Sequence, residues 1–416
     1  MIFQNGYYLE HTDRICLTAV FSGGLLAEDK NTNGMTHLLE HLHFRGNETL
    51  PQPKLYREME LLGAAFSGMT TAQTMSFSFT CQKEAFLKAF DLFCLFLFSS
   101  FPKQADFKRE RAVVCREIEE EAGTRDFEER FKRFLFGGTP LALPIGGIPS
   151  RIRRFSRKGL LARRELIETD ENAVFFLSGA VEHPSLYERV KTELSAGFSR
   201  AGFHGKKIPV LPRFSLPARG CRVISPRWDD ESELGFALFF PRERCDYFTF
   251  ELFRSALCGG DGSVLFRELR ERDALCTDVD TRIYFHEDFF ILTFSCIVKK
   301  EAVSLALDDV GRALCYMKKD FRADDLEQSG SDYRRWFQKY EEDPDDWNEL
   351  LLDLYEATGN ASYAKEEIRK GFAAVTAEKV RAAAAAAINM ENISVFAEMV
   401  TDVRLKAFLR HLEADD

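Results

Sequence analysis

Two similar segments, one in each half of the chain, limit most strongly the folds that this sequence can adopt. In the first half, residues 55–59 run on to residues 75–81, and in the second half, residues 265–269 run on to residues 290–296. Both later stretches place an apolar residue at every second position, which is the signature of a half-buried β-strand. Each strand follows a helix with a similar opening, so the pattern predicts a duplicated α+β unit. A coincidental helix-then-strand order is the alternative.

Length and one irregular stretch predict the domain organisation. A chain of 416 residues exceeds what one hydrophobic core usually supports, which predicts two domains of roughly 200 residues each. Residues 199–220 contain three prolines and three glycines without periodicity, which predicts a linker. We therefore expect an α+β fold of two homologous α/β-layered domains, residues 1–198 and 221–416. Each should have a mixed, mainly antiparallel sheet with helices packed on one face.

Composition argues against several partners and locations. Lys and Arg number 56 against 66 for Asp and Glu, and the net charge of -10 argues against nucleic acid and anionic membranes as partners. The most apolar stretch, residues 86–101, is shorter than the ~20 residues that span a bilayer, which predicts a core helix. The first residues lack a basic stretch followed by an apolar one, which predicts no secretory signal and a cytoplasmic protein. The ten cysteines are scattered singly and are expected to be reduced.

The segment His37-Leu38-Leu39-Glu40-His41 is the strongest chemical signal in the sequence. Start and stop residues on both sides predict a short helix, and at ~100° per residue His37, Glu40 and His41 share one face of it. Two imidazoles one turn apart can hold a single tetrahedral zinc ion, and the carboxylate between them can reach a water on that ion. A chance match in a solvated helix is the alternative, which eight histidines in the whole chain make rare.

A hydrolytic zinc site also needs a third protein ligand and an open position. The acidic helix predicted at residues 107–121 carries Glu110 and Glu117, which are seven residues apart and therefore lie on one face. This helix is able to supply the ligand, and a merely solvated charged face is the alternative. Zinc would lower the pKa of a bound water to about 7, and Glu40 would take the proton as general base. The residues themselves therefore predict a metal hydrolase.

The pattern around these residues resembles the pitrilysin and insulinase family of zinc peptidases, M16, and especially its half-length branch with the mitochondrial processing peptidase. Gly34 precedes the histidine segment and residues 44–46 follow it as in that family. Residues 110–117 match the family's Glu-Arg-x-x-Val-x-x-Glu pattern at the family's distance from the histidines. The resemblance implies that Glu117 is the third ligand of one zinc ion per chain. It also implies that Glu110 supports catalysis from beside the ligands, and that the fold is that of an inverted-zincin peptidase.

Two departures from the family pattern concern substrate binding. Where relatives usually carry Asn-Ala at the start of the substrate-binding edge strand, this chain has Ser67-Gly68. Where relatives pair an arginine with a tyrosine seven residues later to grip the substrate, Arg270 is present but Thr277 replaces the tyrosine. The resemblance implies that Ser67, Gly68 and Arg270 contact the peptide, and that half of the arginine–tyrosine clamp is missing.

The function that the resemblance implies is that of a zinc-dependent endopeptidase acting on short or unstructured peptides, with processing or leader-peptide removal included. Family members enclose their substrate in a chamber of four such domains, so a second chain is expected. That partner is either an identical copy or a homologous subunit that supplies the clamp, and Thr277 favours the homologous subunit.

Two other functions remain open at the level of the sequence. A non-catalytic or attenuated peptide-binding subunit is the main alternative, and the intact general base Glu40 argues against it. A metal hydrolase acting on a non-peptide fits less well, because the alternating strand after Ser67 suits the addition of an extended peptide to a sheet edge.

Overall fold

The computed structural model describes residues 2–3, 6–99, 101–121, 126–211, 213–224, 230–398 and 400–413. In chain order, the strands are β1 (Ile2–Phe3), β2 (Tyr7–Tyr8), β3 (Arg14–Ser22), β4 (Ala65–Thr70), β5 (Thr74–Gln82), β6 (Ala173–Gly179), β7 (Cys221–Ile224), β8 (Glu231–Pro241), β9 (Asp280–Phe285), β10 (Phe289–Lys299) and β11 (Ile393–Glu398).

The helices are numbered in the same way. They are α1 (Met35–Phe44), α2 (Gln52–Leu61), α3 (Phe86–Phe98), α4 (Gln104–Glu121), α5 (Asp126–Phe136), α6 (Pro149–Ile152), α7 (Arg157–Ile167), α8 (Pro184–Ala201), α9 (Tyr247–Cys258), α10 (Val264–Phe266), α11 (Val303–Lys319), α12 (Ala323–Glu342), α13 (Pro344–Thr358), α14 (Lys365–Ala373), α15 (Ala377–Ala387) and α16 (Asp402–Glu413). Helix α10 continues as a π-helical turn over Arg267–Arg272.

The chain folds into two compact units, and each is assembled from separate stretches of sequence. Unit 1 contains Met1–Asp126, Leu143–Pro212 and Phe337–Tyr363, whereas unit 2 contains Phe127–Ala142, Arg213–Trp336 and Ala364–Asp416. The predicted domains 1–198 and 221–416 divide the chain only once, so they do not account for two exchanged segments. The predicted linker 199–220, of which residue 212 lies outside the described part, begins inside α8 and includes the buried Val210. Local composition marks irregular chain, but it does not tell which unit a segment packs against.

The sheet of unit 1 has the strand order β1, β6, β3, β5 and β4, with β2 also paired to β6. Strand β1 is parallel to β6, and the pairs β6–β3, β3–β5 and β5–β4 are antiparallel. The core lies on one face, where Leu17 and Phe21 of β3 meet Phe77 and Phe79 of β5. Helices α1 and α3 pack on the strands that carry this face. The alternation predicted for residues 75–81 therefore separates core side chains from the opposite face.

Helix α13 covers that opposite face of the sheet. Neighbouring residues of a strand point to opposite faces, and Thr18 and Ser22 of β3 contact α13 whereas Leu17 lies in the core. Asn348 donates to the Thr18 hydroxyl at 3.0 Å, and the hydroxyls of Tyr355 and Ser22 are hydrogen-bonded at 2.8 Å. The sheet of unit 1 therefore carries helices on both faces, whereas the sequence analysis expected them on one face. The helix on the second face comes from the second half of the sequence.

Unit 2 repeats the topology of unit 1. Its sheet has the order β7, β11, β8, β10 and β9. Strand β7 is parallel to β11, and the pairs β11–β8, β8–β10 and β10–β9 are antiparallel. Each pairing therefore has the direction of its counterpart in unit 1, which is what the sequence repeat predicts. The α+β fold class, with mainly antiparallel sheets and packed helices, is confirmed.

The apolar stretch that was expected to form a core helix folds as α3. Phe90 and Phe93 of this helix are buried, and the Phe93 ring lies 5.0 Å from that of Phe79, measured between centroids. Within the described residues, no helix combines the length and the apolar composition needed to cross a membrane. All ten cysteines belong to the described part of the chain and are free thiols there.

Candidate active site

Helix α1 carries the histidine segment and is fixed at its first turn. Gly34 caps it with a φ of 91°, and a Cβ at this position would lie 2.8 Å from the Gly147 Cα atom. The left-handed backbone and the close approach both favour glycine. The buried Glu28 carboxylate accepts hydrogen bonds from the backbone N–H groups of Gly34 at 2.8 Å and Thr36 at 2.7 Å. A carboxylate at this end also interacts favourably with the helix dipole, so Glu28 fixes where α1 begins.

Helix α1 has one face turned to the core and another that carries the two candidate histidine ligands. Leu38, Leu39 and Leu42 are fully buried in the core of unit 1. His43 also points inward, and its Nε2 atom lies 2.6 Å from the buried carboxylate of Glu168. His43 is therefore part of a structural contact rather than of the group of side chains around His37 and His41.

Three side chains offer ligand atoms around one point. The candidate atoms of His37, His41 and Glu117 all lie within 4.8 Å of one another. The Nε2 atom of His41 is 3.4 Å from Glu117 Oε2, and the Nε2 atom of His37 is 3.9 Å from Glu117 Oε1. Helix α4 supplies the carboxylate by packing beside α1. Two imidazole nitrogens and one carboxylate oxygen form a donor set that suits a catalytic zinc ion, and the residues present therefore fit such an ion.

Glu110 supports this group from the outer side of His41. Its Oε1 atom lies 2.9 Å from His41 Nδ1, and its other oxygen accepts a hydrogen bond from the Arg45 guanidinium. Burial by itself would raise the pKa of Glu110, but the contacts with His41 and Arg45 outweigh burial and lower it. With a proton on Nδ1 donated to Glu110, His41 presents Nε2 to the ligand cluster. The sequence analysis did not single out Arg45, and no spacing signal connects it to Glu110.

Glu40 lies beside the ligand cluster in a partly closed environment. Only 8% of its surface is exposed, and burial is the main cause that raises the pKa of its carboxyl group. Thr70 donates its hydroxyl to Glu40 Oε2 at 2.6 Å, which opposes this rise. A Cβ added at Gly68 would lie 3.0 Å from Glu40 Oε1 and 2.7 Å from the Phe44 ring. The sequence analysis missed Thr70, although strand alternation places it on the same face as Gly68.

The substrate-binding residues expected from the sequence are divided between the two units. Ser67 lies on β4, the strand at the edge of the described sheet, and its hydroxyl is hydrogen-bonded to Ser78 at 2.8 Å on the face opposite to Gly68. Arg270 belongs to unit 2, where it donates to the backbone oxygen of Thr277 at 3.1 Å and stacks over the Phe266 ring. The structure thus brings the metal-ligand candidates, both carboxylates and Gly68 together in unit 1, and it places Arg270 next to Thr277 in unit 2.

Two family models match successive parts of the chain. Residues 9–146 match the model described as Insulinase (Peptidase family M16), and residues 155–329 match the model described as Peptidase M16 inactive domain. The chain belongs to peptidase family M16. His37, Glu40, His41, Glu110 and Glu117 all fall in the segment that matches the insulinase model. The segment that matches the inactive domain contains Arg270, the residue expected from the sequence to be the clamp arginine.

Several relatives of this M16 chain are curated proteins. The chain is 21% identical over 379 residues to an uncharacterized zinc protease of Rickettsia felis. The alignment covers 88% of this chain and 84% of that protein. The chain is 26% identical over 184 residues to the mitochondrial cytochrome b-c1 complex subunit 1 of Mus musculus. The alignment covers 44% of this chain and 38% of that protein. The mitochondrial-processing peptidase subunit beta of Bos taurus is 26% identical over 198 residues, with coverage of 47% and 40%. The chain therefore spans less than half the length of these two mitochondrial relatives.

The fold of this M16 chain also resembles solved structures over nearly its full length. A protease from Helicobacter pylori superposes with a TM-score of 0.81 at 16% identity, covering 95% of this chain and 96% of that one. At this level of identity the likeness shows the fold alone.

Proposed function

We propose that this M16 chain is a zinc-dependent endopeptidase that hydrolyses short or unstructured peptides. The observation that carries the proposal is the convergence of His37, His41 and Glu117 on one point with Glu40 beside them. An inactive scaffold has no need of a general base next to a complete ligand set. The match of this region to the insulinase model and the zinc protease among the relatives support the same function.

Each residue of the site has a separate part in this proposal. His37, His41 and Glu117 would hold one zinc ion, which when bound would polarise the peptide carbonyl and acidify a water molecule. Glu40 would accept the proton of that water and return it to the leaving amine. In the metal-free chain, burial raises the pKa of Glu40, a direction that favours proton acceptance by a general base near neutral pH. Glu110 would hold His41 in the orientation that presents Nε2.

The edge strand β4 is our candidate for the peptide-binding element. Strand β4 pairs with β5 on one side, and among the described strands none pairs with its other side. An extended peptide can add to such an edge through backbone hydrogen bonds. Ser67 and Gly68 of β4 would then lie along the peptide. The backbone of Gly68 also lies close to the Glu40 carboxylate of α1. The exposed edge therefore supports a peptide rather than a compact small molecule as substrate.

We further propose that the chain works with a partner. The contact between Arg270 and the Thr277 backbone leaves the clamp without the tyrosine hydroxyl that relatives provide. Two relatives are by name subunits, one of the cytochrome b-c1 complex and one of the mitochondrial-processing peptidase. A homologous subunit bearing a complete clamp would supply the missing group, and a homodimer is the alternative assembly. A non-catalytic peptide-binding subunit is the competing function.

The proposal is tested by separating metal binding from turnover. We expect one zinc ion per chain by elemental analysis, and its loss in His37→Ala and in His41→Ala. Glu40→Gln should keep the zinc but abolish cleavage of a quenched unstructured peptide, because an amide cannot accept the proton of the water. A chelated wild-type sample is the control. Undiminished zinc in both histidine variants, or wild-type turnover by Glu40→Gln, would contradict the assignment.

A further inference from the structure

The carboxylate of Glu40 is held by a strand that lies outside its own helix. Thr70 is the last residue of β4, and its hydroxyl donates to Glu40 Oε2 at 2.6 Å. The other oxygen, Oε1, faces the bare backbone of Gly68 on the same strand. A glutamate side chain has several rotatable bonds, so a hydrogen bond to one oxygen restricts where the second oxygen points. The position of Thr70 therefore bears directly on the orientation of the proposed base.

Thr70 is in turn fixed by the turn that follows it. The Thr71 N–H donates to the Thr74 carbonyl at 2.8 Å, and the Thr74 N–H donates back to the Thr71 hydroxyl at 2.9 Å. The N–H groups of Gly23 and Gly24 both donate to the carbonyl of Gln73, at 2.9 and 3.0 Å. A Cβ at Gly24 would lie 2.4 Å from the Thr71 carbonyl oxygen. The turn is therefore held closely against the end of β3.

A buried carboxylate from a distant part of the sequence completes this turn. Glu356 of α13 is 6% exposed, and its Oε1 atom accepts hydrogen bonds from the hydroxyls of Thr71 and Thr74, each at 2.5 Å. A carboxylate is costly to bury without partners. The two hydroxyl groups are the partners that offset this cost, so Glu356 and the turn depend on each other. Glu356, the turn, Thr70 and Glu40 form one continuous chain of contacts inside unit 1.

We propose that Thr70 and Glu356 are positioning residues for Glu40, with Thr70 holding the carboxylate directly and Glu356 holding the turn that places Thr70. The inference rests on the proposed function, because it assigns Glu40 as the base. Neither residue contacts the candidate ligand atoms in the described contacts. Their loss should therefore lower turnover without removing zinc, which separates positioning from metal binding.

The first experiment compares substitutions at Thr70. Thr70→Val keeps the shape but removes the hydroxyl, and we expect kcat to fall about 10- to 100-fold with little change in KM and full zinc content. Thr70→Ser restores the hydroxyl and should recover most of the rate. Equal rates for Thr70→Val and wild type, or no recovery in Thr70→Ser, would overturn the role of the hydroxyl.

The second experiment places Glu356 in the same chain of contacts. Glu356→Met should lower kcat with zinc retained, but it should add no further loss in a Thr70→Val background, because both substitutions break one connection. Asn348→Leu is the matched control, since Asn348 lies on the same helix and contacts Thr18 rather than the turn. Equal fractional losses in the two backgrounds, or the same loss in the control, would overturn the coupling.

Two readouts are independent of turnover. Glu356→Met should raise amide hydrogen exchange over residues 70–76 by at least about 10-fold in metal-free protein, whereas Asn348→Leu should not. Crystal structures of zinc-loaded wild type and Thr70→Val should show the Glu40 carboxylate displaced in the variant. If the wild-type chain cleaves no peptide, the proposed function fails, and these two readouts decide the positioning separately. Unchanged exchange or an unmoved carboxylate would overturn it.

Discussion

Two carboxylates of α4 approach the histidines of α1, and their contacts distinguish them at the scale of single residues. Glu117 offers its oxygens to the Nε2 atoms of both histidines, whereas Glu110 contacts the Nδ1 side of His41 and the Arg45 guanidinium. Sequence spacing alone could not assign these parts, because residues seven apart lie on the same helix face. The family pattern indicated Glu117 as the ligand, but the contact with Arg45 depends on side-chain placement that no local pattern encodes.

The two carboxylates should respond differently to the same substitution. We expect Glu117→Gln to weaken zinc binding strongly, because it replaces a proposed ligand. Glu110→Gln should retain most of the metal and lower kcat about 10- to 100-fold, as changes next to metal ligands commonly do. Zinc titration and turnover of both variants check this. Greater loss of zinc in Glu110→Gln than in Glu117→Gln would show that the two assignments must be reversed.

At the scale of elements, α1 is anchored at both ends by buried glutamate side chains. Glu28 holds its first turn, and His43 in its last turn contacts Glu168, which also accepts a hydrogen bond from Arg164 at 2.8 Å. Arg164 donates further to the carbonyl of Leu97 at the end of α3. The helix that carries the candidate ligands is thereby fixed relative to α3 and α7.

Breaking the Glu168 contacts should lower the stability of the fold rather than change the groups of the proposed active site. Glu168→Gln leaves Arg164 buried without its carboxylate, which should cost about 3 kcal/mol in the free energy of unfolding. Burial raises the pKa of Glu168, but Arg164 and His43 outweigh it and lower the pKa below its ordinary value of 4.5. Its stabilisation is therefore complete above that pH and is lost as the pH falls through the lowered value.

Chemical denaturation between about pH 3 and pH 7 measures this difference. The gap between wild type and Glu168→Gln should be largest above the ordinary pKa and should narrow in acid. The exposed Glu165 on α7, three residues before Glu168, provides the control. Glu165→Gln should change the free energy of unfolding by less than about 0.5 kcal/mol. A gap that widens in acid would contradict the sign of the shift.

Elements were predictable from the sequence where a local pattern decides them. Alternation located β5 and β10, and the glycines around the histidine segment located α1. The place of α13 could not be predicted in this way. Its sheet partners Thr18 and Ser22 are more than 300 positions away in the chain. Long-range pairing of this kind leaves no periodic signal. Thr70 differs from α13 in this respect, because strand alternation places it on the same face as Gly68 and could have indicated it.

At the scale of the whole molecule, our proposal that Arg270 is one half of a substrate clamp in unit 2 predicts dependence on a partner. The side chain of Thr277 is too short to place its hydroxyl where a tyrosine hydroxyl would lie. Poor positioning of the peptide lowers the rate of cleavage even with a complete metal site. We expect the isolated, zinc-loaded chain to be a weak peptidase. A homologous subunit bearing an intact clamp should raise its activity by at least about 10-fold.

Turnover of an unstructured peptide, measured with light scattering on the same sample, tests this dependence. Thr277→Tyr provides a variant in which the chain itself regains the hydroxyl, and it should raise the activity of the isolated chain. Brisk turnover by a wild-type homodimer would contradict the need for a different partner while leaving the metal site unaffected. No gain in Thr277→Tyr would show that the missing tyrosine is not the cause.

The exchange of residues 337–363 into unit 1 has a consequence for the order in which the chain is made. A ribosome releases every proposed zinc ligand long before it releases Asn348, Tyr355 and Glu356. Until that late segment emerges, one face of the first sheet lies uncovered and the Thr71–Thr74 turn lacks its carboxylate. We therefore expect unit 1 to reach its final structure only after most of unit 2 has been synthesised. The proposed active site is therefore expected to be complete only after translation of the chain is well advanced.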